Sequence, residues 1–148
     1  MRCTPADKDF AFEVTEAAMR SYVEQAFGPW DADDQRRRFD EVFDPSTYQR
    51  IVVDGAPAGI FVVENRPTEI YLARIFLLPA FQRRGIGSTL IRGLIDRARA
   101  EDKPLRLRVL RVNEAARRLY ARFGFTVTES TPVHDYMKYF VSQNRGSS

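Results

Sequence analysis

The sequence passes from an apolar run, through Gln82-Arg83-Arg84-Gly85-Ile86-Gly87, directly into a helical repeat, and this succession constrains the fold most. In residues 69–78, Ile70, Leu72, Phe76 and Leu78 alternate with Tyr71, Ala73, Ile75 and Leu77. Apolar side chains on both faces predict a central strand buried on both sides, interrupted only by Arg74. After the glycines, Ile86, Leu90, Ile91, Leu94, Ile95 and Ala98 fall at helical spacing, and Asp102-Lys103-Pro104 ends the run. A loop that opens such a helix presents backbone N–H groups without intrahelical partners at the positive end of the helix dipole. Gly85 and Gly87 lack Cβ, so an anion can approach the main chain closely, and a pyrophosphate is the natural occupant. Arg83 and Arg84 add positive charge.

The flanking sequence predicts the remaining elements. A short strand is expected near residues 2–5, then a helix capped by Asp7 that runs to Phe27 with Phe10, Val14, Ala17 and Ser21 along one face. Gly28-Pro29 breaks it, and residues 31–43 read as a second helix. Runs at 48–54 and 58–64 flank Asp54-Gly55, a hairpin signature. Residues 105–112 read as a strand. Asn113 can cap a short helix carrying Ala116, Leu119, Tyr120 and Phe123, which Gly124 ends. Strands at 125–130 and 134–140 close the chain. The order is βααβββαβαββ, an α/β class with a mixed (α+β) sheet, expected as a single domain over 1–140 with a flexible tail at 141–148.

Of the 148 residues, 44% are apolar, enough for a core, while 29% are charged and interrupt every apolar run before a membrane span is reached. The first ten residues carry no uninterrupted apolar stretch, so a secretory signal is not expected and the reading is cytoplasmic. One cysteine, Cys3, and one histidine, His134, make neither an internal disulfide nor a zinc module, and no metal is expected. The net charge is only +3, although all but three of the 23 basic residues are arginine. Arginine forks bind phosphate well, but this balance implies no nucleic-acid partner by itself.

Three phosphate-binding motifs compete for the loop. A P-loop needs Gly-Lys-Ser/Thr, whereas Gly87 is followed by Ser88-Thr89; a dinucleotide fingerprint needs a small residue where Leu90 stands. Gln-x-x-Gly-x-Gly after a mid-chain strand instead resembles motif A of the GNAT superfamily of acetyl-CoA-dependent N-acetyltransferases. Asn113-Glu114-Ala115-Ala116-Arg117-Arg118-Leu119-Tyr120, continuing to Gly124-Phe125, is similar to that family's Asn-x-x-Ala-x-x-Leu-Tyr-x-x-x-Gly-Phe segment. The resemblance implies the GNAT acyltransferase fold and acetyl transfer from acetyl-CoA to an amine of a small molecule or peptide, by direct attack in a ternary complex. It also implies that the strands at 69–78 and 105–112 splay to admit pantetheine. Phe76, Leu77 and Leu78 would pair with pantetheine amides, and Gln82, Arg83, Arg84, Gly85, Ile86, Gly87 and Ser88 would hold the pyrophosphate. Asn113 and Ala116 would flank the cofactor, and homodimers are common in the family.

The resemblance further implies that Tyr120 is the general acid for the departing thiolate; from pattern alone it is helix-face packing. An alkyl amine with a pKa of about 10.4 must lose a proton before it attacks. Glu69 and His134 are the candidate bases, and each also reads as an ordinary strand residue. Where some family members place a glutamate, this chain has Tyr71. Cys3, near a chain end, is a poor candidate for a covalent route. Arg74 reads as half of a structural ion pair or as an anchor for an acidic acceptor. Trp30, Tyr22 and Phe27 read as core or as pocket lining. Two other classes remain open: a non-catalytic CoA-binding regulatory module, which would not need Tyr120, and an RNA-binding protein using arginines such as Arg106, Arg108 and Arg122. The last lacks interleaved aromatics for base stacking.

Overall fold

A computed structural model describes residues 1–141. The tail expected at 142–148 lies outside the described residues, and Val141, assigned to it above, is buried. The elements are α1 (Lys8–Phe27), α2 (Ala32–Val42), β1 (Tyr48–Val53), β2 (Ala56–Asn65), β3 (Ile70–Leu77), α3 (Ile86–Glu101), β4 (Leu105–Leu110), α4 (Glu114–Arg122), β5 (Thr126–Ser130) and β6 (His134–Tyr139). Short 3-10 turns occupy Pro5–Asp7 and Pro79–Phe81. The chain forms two compact units, one of Met1–Val63 with Arg74–Gly87 and one of Glu64–Ala73 with the chain from Ser88 onward. Strand β3 contributes to both. Hydrogen-bonded neighbours read β1-β2-β3 in the first and β3-β4-β6-β5 in the second, a mixed six-stranded sheet with the expected α/β character.

In the first unit, Asp54 and Gly55 both take positive φ, 52° and 80°, which lets two residues join β1 to β2 with Val53 opposite Ala56. Asp31 caps α2, its Oδ1 accepting the Asp34 N–H at 3.1 Å. The expected first strand shrinks to a single bridge between Arg2 and Gln49. Pro5 lacks a backbone donor and starts a 3-10 turn instead, in which the Asp7 carboxylate accepts the Thr4 N–H at 2.7 Å rather than capping α1.

The buried stripe of α1 is Ala11 and Val14, whereas Ala17 and Ser21 are exposed. Tertiary contacts set this face: Phe12 meets Phe39 edge-on at 5.4 Å, and Phe39 meets Phe43 and Tyr48 at 5.4 and 6.1 Å. Trp30 is core, with its indole N–H donated to Glu16 at 2.9 Å, while Phe27 is exposed. Gly59 of β2 lies so close to β3 that a Cβ there would sit 2.1 Å from the Phe76 carbonyl oxygen.

In the second unit, α3 buries Ile91, Leu94, Ile95 and Ala98, as its periodicity requires. The parallel β3–β4 ladder covers Ile70↔Leu105 to Leu72↔Leu107, and β6 pairs antiparallel with β4 from Leu105↔Tyr139 to Leu110↔His134. Only Ile70 and Leu72 of β3 are fully buried, so the strand is not covered on both faces as expected. Strand β5 is an exposed edge. Asp135 is 2% exposed, and its carboxylate accepts from Ser130 Oγ at 2.7 Å and pairs with Arg117 at 3.0 Å and Arg111 at 3.7 Å. Partners of this kind are what a buried carboxylate requires. Among the described residues, no helix is long and apolar enough to cross a membrane.

Replacing Gly59 with alanine is expected to force the Phe76 carbonyl away and destabilise the protein by roughly 1–3 kcal/mol, the usual cost of overpacking. Urea denaturation of Gly59→Ala against wild type measures this, and an unchanged midpoint would refute the close approach.

Candidate active site

In the first unit, the end of β3 and the glycine loop are tied together. The Gln82 side-chain N–H donates to the Leu77 carbonyl at 3.0 Å, so this residue buckles the loop to the strand. Arg83 and Gly85 take positive φ, 63° and 77°. For arginine this conformation costs about 1–2 kcal/mol, strain of a kind that collects at functional loops. A Cβ at Gly85 or Gly87 would meet nothing within 4 Å, so the main chain there can be approached closely from outside. The Arg84 guanidinium lies 5.4 Å from the Phe81 ring centroid, which holds its charge beside the loop. Ile86 and Gly87 form the first turn of α3, and Ser88 follows them into the second unit.

The expected pantetheine-pairing residues differ in direction. Successive peptide groups of a strand point to opposite sides. The Leu78 N–H is committed to the Ala58 carbonyl at 2.8 Å, and the Phe76 carbonyl lies against Gly59, so both face β2. Alternation therefore turns the Leu77 and Ile75 peptide groups away from β2. Ile75 was not singled out by the sequence, although strand alternation alone carries that signal.

In the second unit, Asn113 is the N-cap of α4, its Oδ1 accepting the Ala116 N–H at 3.1 Å. Tyr120 is 8% exposed and packs 5.6 Å from Phe125, and burial pushes its phenol up to about 12. Glu69 sits between two guanidiniums, Arg66 at 2.9 Å and Arg106 at 3.6 Å, with Arg66 also stacked over Tyr71. His134 is anchored through its main chain, its N–H donating to Thr131 Oγ1 at 2.9 Å. Burial, and then the charge of Arg108, lower its imidazole below the usual value, so it is neutral at neutral pH.

A groove of about 230 Å³ is lined by Ser88, Arg92, Leu119, Arg122 and Phe123. Sequence reading missed it, although Ser88 and Arg92 stand four apart and share a face of α3. Elsewhere, burial chiefly raises the Cys3 thiol, keeping it protonated and inert, which argues against a covalent acyl-cysteine. Arg74 makes no ion pair among the described residues, so a structural pair is not its use.

The model of the "Acetyltransferase (GNAT) family" matches residues 15–125. No curated protein matches the chain. Among solved structures, the PaiA N-acetyltransferase of Thermoplasma acidophilum in complex with coenzyme A aligns over 95% of this chain and 96% of its own, with a TM-score of 0.74 and 16% identity. An N-acetyltransferase from Staphylococcus aureus Mu50 aligns over 93% and 98%, with a TM-score of 0.70 and 15% identity. A GNAT family acetyltransferase from Elizabethkingia anophelis with acetyl-CoA bound aligns over 63% and 74%, with a TM-score of 0.55 and 17% identity. At these identities the likeness concerns the fold.

Gly85→Ala is expected to cost about 1–2 kcal/mol by placing a Cβ-bearing residue at φ 77°. Denaturant titration of Gly85→Ala against wild type reads the effect; unaltered stability would refute the left-handed conformation at this position.

Proposed function

This chain belongs to the acetyltransferase (GNAT) family, and on that premise we propose that it transfers the acetyl group of acetyl-CoA to an amine of a small molecule or peptide by direct attack in a ternary complex. The observation that carries this reading is the glycine loop, strained at Arg83, open at Gly85 and Gly87, and buckled by Gln82 to β3. Acetyl-CoA supplies an activated acyl carbon and a thiol leaving group. The fit is good: amides at the start of α3, with Arg83 and Arg84, suit a diphosphate, and the outward peptide groups of Ile75 and Leu77 suit the amides of an extended arm. The arginine-lined groove beside Ser88 suits the remaining phosphate of a nucleotide.

Two residues handle protons in this proposal. Tyr120, protonated throughout the accessible pH range, donates a hydrogen bond to the sulfur as negative charge collects there. His134, held neutral, accepts the proton that the amine must lose, directly or through one water. Glu69, clasped by Arg66 and Arg106, supports β3 rather than moving protons. Asn113 orders α4 and thereby the position of Tyr120. A cytoplasmic setting accompanies this reading.

Tyr120→Phe is expected to lower kcat on the order of 100-fold while leaving the affinity for coenzyme A unchanged. Thiol release with a panel of amines, and calorimetry, measure the two quantities. Unchanged turnover in Tyr120→Phe would remove the residue from the acid role, whereas absence of thiol release with every amine, despite tight coenzyme A binding, would favour a non-catalytic CoA-binding module.

The base assignment predicts a pH effect of definite sign. Because the His134 pKa lies below 6.5, the imidazole is competent above it, and kcat is expected to fall as pH drops through that lowered value. His134→Gln should be slower and should lack this acidic limb. An identical limb in the variant would move the role elsewhere.

A further inference from the structure

Arg74 and Tyr48, both in the first unit, present hydrogen-bond donors for which the protein offers no acceptor. Arg74 interrupts the apolar run of β3 and is half-buried, yet its only recorded interaction among the described residues is with the Tyr48 ring, 5.9 Å from the guanidinium carbon. A guanidinium carries five N–H donors in a planar fork, and partial burial without a counter-charge leaves their desolvation uncompensated. Tyr48 is 2% exposed, and its hydroxyl is buried with no hydrogen-bond partner. Its ring is clamped by Phe43 at 4.9 Å and Phe39 at 6.1 Å, so rotation offers little relief. Burial raises the Tyr48 phenol, which keeps it a neutral donor. A cation held over the ring of a tyrosine whose own hydroxyl lacks a partner leaves two sets of donors that a small planar oxyanion would satisfy.

The location ties this vacancy in hydrogen bonding to the reaction. Arg74 is adjacent to Ile75, whose peptide group faces away from β2, and one residue of strand spans only about 3.3 Å. An anion held by Arg74 therefore lies within a small molecule's length of the backbone proposed to align the acyl donor. The shape of the guanidinium fork favours a carboxylate, which two parallel N–H···O bonds would satisfy. We propose that Arg74, with Tyr48, recognises a carboxylate on the acceptor, so that the preferred substrate is an amine that also bears a carboxylate. The inference rests on the acetyltransferase reading above. It makes Arg74 and Tyr48 specificity-determining residues and gives them no part in the proton transfers.

The test uses the full-length protein and acceptor pairs that differ by one charge: β-alanine against β-alaninamide, and 5-aminovalerate against its amide. In wild type, KM for the carboxylate member is expected to be at least about tenfold lower. Arg74→Met should bring the two values within about twofold, with the affinity for coenzyme A unchanged by calorimetry. Arg74→Lys should restore part of the discrimination, since it returns the charge but not the fork. Tyr48→Phe should raise KM for the carboxylate member several-fold while thermal stability holds or rises, because the substitution removes a buried unsatisfied hydroxyl. A structural tyrosine would show the stability change alone. Replacing β-alanine with 2-aminoethylphosphonate distinguishes oxyanion classes, and a lower KM for the phosphonate would overturn the choice of carboxylate. Equal KM values within each pair in wild type, or discrimination that survives Arg74→Met, would overturn the inference and leave the acetyltransferase reading standing. Acetylation of no amine in either set would overturn both.

Discussion

Every peptide group in a strand has to be hydrogen-bonded to something, and at β3 that requirement organises the rest. Its parallel ladder ends at Leu72, while the strand continues to Leu77. On the side facing β2, Leu78 is satisfied by Ala58, and the missing side chain of Gly59 lets the Phe76 carbonyl come close. On the other side, the Leu77 carbonyl receives the Gln82 amide, which also fixes where the glycine loop begins. What is left is a short stretch of donors and acceptors with the spacing of a strand edge, the template on which an extended amide-bearing chain adds. The loop and the strand edge are thus one construction, since the Gln82 tether locates the loop amides relative to the edge. Neither would be placed without the other.

The arginine richness divides into two populations. Most guanidiniums have acidic partners on their own unit: Arg36 with Asp9 and Asp40, Arg66 with Glu64 and Glu69, Arg97 with Glu101. Exposed pairs like these contribute little each, and they consume the charge that would otherwise suggest a polyanion. Asp135 differs, because it is buried and would be left an uncompensated charge without Arg117 and Arg111. The second population, without an ion pair among the described residues, comprises Arg2, Arg99, Arg108 and Arg118 as well as Arg74 on β3, Arg83 and Arg84 on the loop, and Arg92 and Arg122 at the groove.

Local signals made much of the architecture legible. Asp54-Gly55 set the hairpin, Asn113 capped the helix it precedes, and the apolar spacing from Ile91 to Ala98 located the buried face of α3. What escaped notice depends on residues far apart in sequence. The α1 stripe followed the contact of Phe12 with Phe39, not its own periodicity. Gly59 looks like any strand glycine until Phe76 is brought against it. The candidate site divides in the same way. The loop glycines and Asn113 were visible as motifs, whereas the clasp on Glu69, the burial of Tyr120 and the isolation of Arg74 are tertiary facts. Arg92 was hidden for a further reason, since an arginine on the polar face of a helix carries no mark of the groove beside it.

Burial of Tyr120 changes the energetics of the acid step proposed for it. With the phenol near 12 and a free thiol near 8.5, complete proton transfer to the thiolate would be uphill by about 5 kcal/mol. The comparison is uneven, however, because it sets a buried phenol against a thiol in water. A sulfur brought next to the same apolar surroundings loses hydration too, and its pKa rises for the reason that raised the phenol. To the extent that both shift together, the gap returns toward the roughly 1.5 units separating their reference values, a cost of about 2 kcal/mol. The proton need not transfer completely for the residue to act. A neutral donor aimed at a developing charge in a dry site stabilises it more than water does, and a phenol that never ionises is always ready to donate. Raising the pKa of Tyr120 therefore weakens it as a Brønsted acid and strengthens its standing as a fixed donor, and the second effect is the one a departing thiolate requires.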